Sequence, residues 1–429
     1  MNRQILRLAL PNIISNISVP LISAVDTALM GHLSPSHLAA LGIGAMVFVF
    51  LYGSFGFLRM GTTGLTAQAC GQADKTLMAN TLSRALMIAV LIAVILILFQ
   101  RPLFEIASYL MNVQEGYADK VRVYFDIRIY TAPAVFLQLV LMGWFFGMQN
   151  ALIPLLMTLL INLVNIFLSY YLVKELGMGI EGAAYGTLVA QYIGVVFGFI
   201  MIVKYRDILG FITYHDTVQK EKLLRFFSVN KDIFIRTIAL TFVLAFFYSQ
   251  AAKNSEETLA IMILLLQFMI WMSFALDGFA NAAESLVGRY YGAKDWEGFY
   301  KAIAYSFYWG GGFALVFSLV YLFFGRNLLE LYTNQTHLID QAMSYMWLVA
   351  LLPLLAFGAF IWDGVFVGMT ASKSMRDAVL VSMALFLGVF YLTREIDYTW
   401  SLWGSFVLFF VFRTLIQSWI FWKNGRHLK

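Results

Sequence analysis

Charged side chains are scarce in this sequence. Asp, Glu, Lys and Arg together make up 12% of its 429 residues, whereas hydrophobic residues make up 61%. A water-soluble domain of this length has no interior large enough to hide so much apolar surface. The scarcity of charge therefore excludes an ordinary soluble protein and indicates a protein that lies in a lipid bilayer.

Cysteine and histidine are also rare. The single Cys70 excludes a disulfide framework and a zinc cluster built on thiolates. The five histidines fall in predicted loops or at the C-terminal tail, and the sequence contains neither an H-E-x-x-H pattern nor a phosphate-binding glycine loop. We therefore expect neither a membrane-embedded enzyme nor an ATP-driven pump, and we expect no cofactor and no tightly bound metal.

Twelve apolar runs are each long enough to cross a hydrocarbon core of about 30 Å as a helix. They fall at 5–30, 38–64, 80–105, 121–149, 152–173, 181–204, 229–252, 257–287, 300–324, 341–370, 374–394 and 398–422. The sequence therefore predicts an all-α polytopic membrane protein with twelve transmembrane helices. Residues 1–204 would form one six-helix lobe, 205–228 a cytoplasmic linker and 229–429 a second six-helix lobe.

The basic residues between these runs are distributed unequally. With both termini on the same side, 19 Lys and Arg residues fall on that side, 7 on the other, and Arg59, Arg128 and Arg413 lie within the runs. The positive-inside rule then places both termini and the linker in the cytoplasm. The net charge of +5 is explained by this topology and does not indicate a nucleic-acid partner.

The two halves of the chain resemble each other. One constant offset superposes several pairs without a gap: Leu38-Ala39 and Leu259-Ala260, Leu65 and Leu286, Gly71 and Gly292, Asp74 and Asp295, and Gly147-Met148 and Gly368-Met369. Because each copy has an even number of helices, the two lobes must be related by a pseudo-twofold axis along the membrane normal. Two parallel bundles of this kind predict a central cleft and a rocker-switch transporter rather than a pore.

Ionisable side chains inside the predicted helices are the first candidates for function, because each costs several kcal/mol there unless it faces a cavity or a partner. In the first half they are Asp26, Arg59, Asp126 and Arg128. No basic residue lies within a helical turn of Asp26, which favours a functional role for it. Either arginine could instead be a structural partner of a nearby acid.

In the second half the candidates are Asp277, Asn281, Glu284 and Asp363. The first three are spaced so that they share one face of the eighth helix. Asp363 lies on the tenth helix. We rank this group below Asp26, because Asp277 and Glu284 lie only two helical turns apart and could be partly structural.

A polar stripe follows the fifth predicted helix. Asn162, Asn165 and Ser169 are three and four residues apart in an otherwise apolar run, so they can meet Thr187 and Gln191 on the sixth helix. The alternative interpretation is ordinary hydrogen bonding between two membrane helices.

Six segments carry recognisable motifs, at 11–33, 57–68, 162–166, 182–191, 275–280 and 363–368. They resemble, over nearly the whole chain in order and spacing, multidrug and toxic compound extrusion (MATE) transporters, specifically their DinF-like branch. The resemblance implies two six-helix lobes and the export of small organic compounds, often lipophilic cations, in exchange for protons or sodium. It also implies a bacterial inner-membrane protein with no partner beyond its substrates and the bilayer, and we expect a monomer.

The same resemblance implies a small cation site at Asp26, Asn165, Ser169 and Thr187. Relatives usually have an acid where this chain has Ser169, so a single carboxylate remains. Because sodium prefers several oxygen ligands with enough negative charge to offset its dehydration, we predict proton antiport with Asp26 as the carrier. Weak sodium binding at Asp26, Asn165 and Thr187 is the alternative. A flippase of lipid-linked precursors is another, although the sequence shows neither the extra helices nor the strongly cationic cleft expected of one.

Overall fold

A computed structural model describes residues 1–425 of the chain, so Arg426, His427 and Lys429, which were placed on the cytoplasmic tail, lie outside the described residues. All regular structure in the described part is helical. Twelve segments are long and apolar enough to span a membrane, which confirms the predicted fold class. In chain order they are α1 (Asn2–Gly31), α2 (Pro35–Gly53 and Phe57–Gly71), α3 (Lys75–Leu98), α4 (Glu115–Arg128 and Ala132–Gly147), α5 (Leu152–Tyr170), α6 (Gly179–Ile202), α7 (Lys220–Asn254), α8 (Glu256–Gly292), α9 (Trp296–Glu330), α10 (Thr336–Gly368), α11 (Ser372–Thr393) and α12 (Tyr398–Gly425).

The chain forms two compact units. The N unit is Ile14–Phe227, and the C unit combines Met1–Ile13 with the chain from Ser228 onward. This division assigns the first turns of α1 to the C unit, whereas the predicted lobes ran from 1 to 204 and from 229 to 429. The predicted linker also ends too late, because α7 already begins at Lys220.

Each unit is built around its own aromatic and aliphatic core. In the N unit Phe125, Phe136 and Trp144 are at most 2% exposed. In the C unit Phe247 and Trp403 are fully buried, and their ring centroids lie 5.2 Å apart in an edge-to-face arrangement. Such contacts matter in a bilayer, where close packing and hydrogen bonds, rather than apolar burial, hold helices together.

The sequence repeat recurs in how helices begin. The side chain of Asp74 accepts a hydrogen bond from the Leu77 amide at 2.8 Å at the start of α3. At the corresponding position of the second half, the start of α9, Asp295 accepts one from the Gly298 amide at 2.9 Å. A carboxylate at this position satisfies a helix amide that would otherwise lack a partner. Both units therefore have an aspartate cap at the start of the corresponding helix.

The repeat recurs again where two helices touch. A Cβ atom on Gly143 of α4 would overlap the backbone carbonyl of Arg59, and one on Gly364 of α10 would overlap that of Ala280. The offset that superposes Asp74 on Asp295 also superposes Gly143 on Gly364 and Arg59 on Ala280. Only glycine allows such a close approach of helix backbones, as in other membrane bundles. The contact between α2 and α4 is thus repeated between α8 and α10.

Candidate functional site

A cavity of about 300 Å³ lies inside the N unit. Its polar lining includes Asp26 from α1, Tyr52 from α2, Arg128 from α4, and Thr187 and Gln191 from α6. Most of the remaining lining is apolar and includes Val19, Ile22, Leu41, Phe48, Val49 and Val135. Among the residues that line it, all within the described part of the chain, Asp26 is the sole carboxylate.

Asp26 is buried, with 6% of its surface exposed. Ser169 and Arg128 are the polar neighbours of its side chain. In this conformation Asp26 Oδ1 and Ser169 Oγ are nevertheless both buried without a hydrogen-bond partner in residues 1–425. Asp26 forms no salt bridge within the same range. An incompletely satisfied carboxylate at the wall of a cavity can accept a proton or a ligand.

The predicted stripe on α5 meets α6 and α1. Asn165 is fully buried and donates through Nδ2 to Thr187 Oγ1 at 2.9 Å. Asn162 instead donates to the Ser18 carbonyl at 3.0 Å and to its hydroxyl at 2.9 Å. The structure thus brings Asp26, Ser169, Asn165 and Thr187 into one region of the N unit, as the sequence predicted, while Asn162 joins α5 to α1.

Aromatic rings surround the guanidinium of Arg128. It lies 5.3 Å from the ring centroid of Phe48 and 5.6 Å from that of Tyr124. The Tyr52 hydroxyl donates to the Arg128 carbonyl at 2.9 Å and lies 2.9 Å from Thr131 Oγ1. Sequence reasoning missed Tyr52 and Tyr124, because nothing in the sequence separates them from the many aromatics that pack in the core or at the interface.

Arg59, also a candidate, does not line this cavity. Its guanidinium lies 5.9 Å from the ring centroid of Phe146, and its backbone carbonyl forms the close contact with Gly143. Gln191, in contrast, does line the cavity, and its Oε1 is buried without a hydrogen-bond partner in the described residues. The candidates of the first half therefore separate into cavity residues, one residue at a helix contact and the exposed Asp126.

Asp363, one of the buried carboxylates of the C unit, lies in a different setting. Asp363 on α10 is 5% exposed and forms ion pairs with Arg236 of α7 and Arg413 of α12. The Arg413 contact is 2.7 Å, and Gln417 donates to the second carboxylate oxygen of Asp363, also at 2.7 Å. Both oxygens of Asp363 are thus engaged by donors from two other helices.

The three partners of Asp363 described above were not predicted as site residues. Arg236 was counted with the cytoplasmic basic residues, Arg413 was noted only as lying within a span, and Gln417 was not singled out. Arg84 was also counted as cytoplasmic, yet only 2% of it is exposed. When Arg84 and Arg236 are left out, the side predicted to be cytoplasmic still carries more basic residues than the other side.

The remaining candidates lie along α8 beside this group. Asp277 acts electrostatically on Arg413. Glu284 is 1% exposed, and its backbone carbonyl approaches Gly368 of α10. Asn281, which lies between Asp277 and Glu284 in the sequence, is partly buried. The structure therefore connects Asp277 with Asp363 through Arg413, whereas Glu284 lies at the contact between α8 and α10.

Two units and twelve helices of spanning length in the described residues define a polytopic membrane protein. A crystal structure described as MATE in the bent conformation superposes with a TM-score of 0.92 over 100% of this chain and 96% of that one, at 19% identity. An outward-facing multidrug resistance MATE family transporter of the MOP superfamily superposes with a TM-score of 0.89 over 99% and 96%, also at 19% identity. At this identity the likeness establishes the fold alone.

Sequence comparison establishes the family. The MatE family model matches residues 11–171 and 233–392. The chain is also 34% identical to the DNA damage-inducible protein F of Escherichia coli over 425 residues, which is 97% of this chain and 92% of that protein. The chain therefore belongs to the MatE family, and the resemblance predicted from its motifs is confirmed.

Proposed function

We propose that this protein is a secondary active transporter that exports lipophilic organic compounds in exchange for protons by alternating access. It would lie in the plasma membrane of a bacterium with both termini in the cytoplasm. The family match, the similarity to a bacterial protein and the outward-facing multidrug resistance relative support this proposal. The excess of basic residues on one side supports the orientation.

The observation that carries the proposal is the state of Asp26. Its carboxylate is buried at the wall of a cavity, has no salt bridge among the described residues, and has Ser169 and Arg128 as its polar neighbours. A carboxylate in such a position can alternate between a neutral and a charged form as water access changes. We infer that Asp26 carries one proton inward for each export cycle.

A proton fits this cavity better than sodium does. A proton forms one covalent bond to a carboxylate oxygen, whereas a hard metal ion requires several oxygen ligands held close together. Asp26 is the single carboxylate among the described residues that line the cavity, so little negative charge is present there to offset the dehydration of sodium. Asn165 and Thr187 supply only neutral oxygens.

The cavity lining also bears on the class of substrate. Apolar and aromatic side chains form most of its wall, with a few polar groups at Asp26, Thr187 and Gln191. Such a surface binds lipophilic molecules mainly by shape and apolar contact, while the polar groups fix orientation. A cation would be attracted to ionised Asp26, and protonation of Asp26 would release it.

The test is efflux of a fluorescent lipophilic cation from proteoliposomes under separately imposed proton and sodium gradients. We expect the proton gradient alone to drive efflux. Sodium-driven efflux with no response to the proton gradient would overturn the assignment of the ion. The variant Ser169→Asp adds a second carboxylate beside Asp26 and should increase stimulation by sodium. Its control is Asp126→Asn, which removes a carboxylate that is 56% exposed and should leave ion preference unchanged.

A further inference from the structure

A second cavity of about 300 Å³ lies in the N unit, away from Asp26. It is formed where α2 ends, where α3 begins and where α7 begins. Three cationic side chains line it: Arg84, Lys222 and Arg225. The neutral groups Gln68, Gln72 and Thr81 complete much of its polar wall.

One acid, Asp74, also lines this cavity, and a second, Asp216, is bonded to two of its cationic residues; both carboxylates or their backbones are already engaged. Asp74 accepts the Leu77 amide at the start of α3, at 2.8 Å. The carboxylate of Asp216 accepts a hydrogen bond from the Thr213 hydroxyl at 2.8 Å. It also forms a long ion pair with Lys222, at 3.5 Å. Three cations against two acids leave the region with an excess of positive charge.

The arginines are held mainly by neutral acceptors. Arg84 donates to the backbone carbonyls of Thr217 at 3.1 Å and Asp216 at 2.7 Å. Arg225 donates to Gln68 Oε1 at 3.3 Å and has no salt bridge among the described residues. These contacts fix the positions of both guanidinium groups without neutralising them. The guanidinium and ammonium groups are therefore pre-positioned for an anion.

The segment that precedes α7 is attached to the wall of this cavity. Asn80 of α3 donates to the Phe211 carbonyl at 3.1 Å and accepts from the Thr213 amide at 3.1 Å. The Thr217 hydroxyl lies 3.1 Å from the Asn80 side-chain oxygen. An anion bound to Lys222 and Arg225 would thus connect the start of α7 with a segment that α3 already holds.

We propose that this cavity binds a phosphate group through Lys222 and Arg225, with the amides of Gln68 and Gln72 as additional donors. This proposal rests on the orientation given under the proposed function, in which this end of the helices lies at the cytoplasmic surface. Anionic phospholipids accumulate at that surface, and basic pockets between helices bind their headgroups. The phosphodiester of an anionic lipid and free phosphate share this chemistry. Lys222 has a side chain that is 36% exposed, so the cavity is open to either source.

The experiment compares thermal unfolding of the purified protein in nanodiscs of three kinds. The first contains phosphatidylcholine alone, the second adds phosphatidylglycerol, and the third is phosphatidylcholine with inorganic phosphate in solution. We expect phosphatidylglycerol or inorganic phosphate to raise the unfolding temperature, because a ligand that binds only the folded state stabilises it. The sample in which the unfolding temperature rises shows whether the phosphate group comes from the lipid or from solution.

The double variant Lys222→Gln/Arg225→Gln should lose more than half of this stabilisation. Its control, Lys204→Gln/Lys220→Gln, removes the same charge from two exposed lysines of the same unit that do not line the cavity and should keep the full effect. The conservative Arg225→Lys should keep most of it. Equal stabilisation of the double variant and its control, or no response of the native protein to either addition, would overturn the proposal.

Discussion

The N and C units share a backbone repeat, yet their buried polar groups do not correspond. The offset that superposes Asp74 on Asp295 places Phe247 at the position of Asp26, Phe386 at that of Asn165 and Leu408 at that of Thr187. In the reverse direction it places Met142 at the position of Asp363 and Tyr192 at that of Arg413. The packing glycines and the capping aspartates are duplicated, because the backbone geometry requires them. The ionisable groups are not, so the buried polar groups of the two units differ in kind and position.

Burial does not explain the difference between the two key carboxylates. Asp26 is 6% exposed and Asp363 is 5% exposed. Their partners differ instead, since Asp363 is bonded to two arginines and a glutamine, whereas Asp26 has no salt bridge in the described residues and faces a cavity. Two arginines neutralise Asp363. We therefore interpret Asp363 as a structural centre of the C unit, whereas Asp26 is the proton carrier of the proposed function.

The largest effect should follow from Asp363→Asn. This change leaves Arg236 and Arg413 without their shared counter-charge, and breaking a buried ion pair in this way costs about 3–5 kcal/mol of unfolding free energy. Unfolding of the purified variant in detergent, followed by tryptophan fluorescence, measures the loss. The exposed Asp126→Asn should behave as the native protein. Native stability of Asp363→Asn would remove the structural contrast between the units.

Glycine substitutions should affect the two units alike. Gly143→Ala and Gly364→Ala each place a methyl group against a backbone carbonyl of the neighbouring helix, which forces the helices apart at a cost of about 1–3 kcal/mol. The control is Gly388→Ala, since nothing lies within 4 Å of a Cβ at that position. Measured by the same unfolding assay, a large loss in one unit and none in the other would contradict the duplicated packing.

The smallest effect on stability should come from Thr187→Val. This variant keeps the shape of the side chain but removes the acceptor for Asn165, and such hydrogen bonds between membrane helices contribute on average about 0.6 kcal/mol. We expect a marginal change in the unfolding temperature and a clear change in the pH dependence of efflux, because Asn165 and Thr187 adjoin Asp26. A stability loss as large as that of Asp363→Asn would mean that this pair is structural.

Much of the fold follows from the sequence, because the bilayer requires long apolar helices and loops with asymmetric charge. All twelve spans, and the grouping of Asp26 with Asn165 and Thr187, were predicted from hydropathy, spacing and resemblance. The interruption of α2 between Gly53 and Phe57 was not predicted, because the apolar run continues across it.

The partners of Asp363 were beyond sequence reasoning for a physical reason. They are Arg236, far before it in the chain, and Arg413 and Gln417, well after it. Only the packing of α7, α10 and α12 brings them together. A single sequence reveals which residues share a face of one helix, but it does not reveal which faces of distant helices meet.

Asp26→Asn in proteoliposomes tests the account most directly. The asparagine is nearly isosteric with the protonated acid and cannot release a proton, so the variant should keep native stability and lose proton-driven efflux of the cationic dye by at least about tenfold. Asp126→Asn, reconstituted in parallel at the same protein-to-lipid ratio, should transport normally. Proton-driven efflux at the native rate by a stable Asp26→Asn variant would contradict the claim that the N unit carries the proton at Asp26.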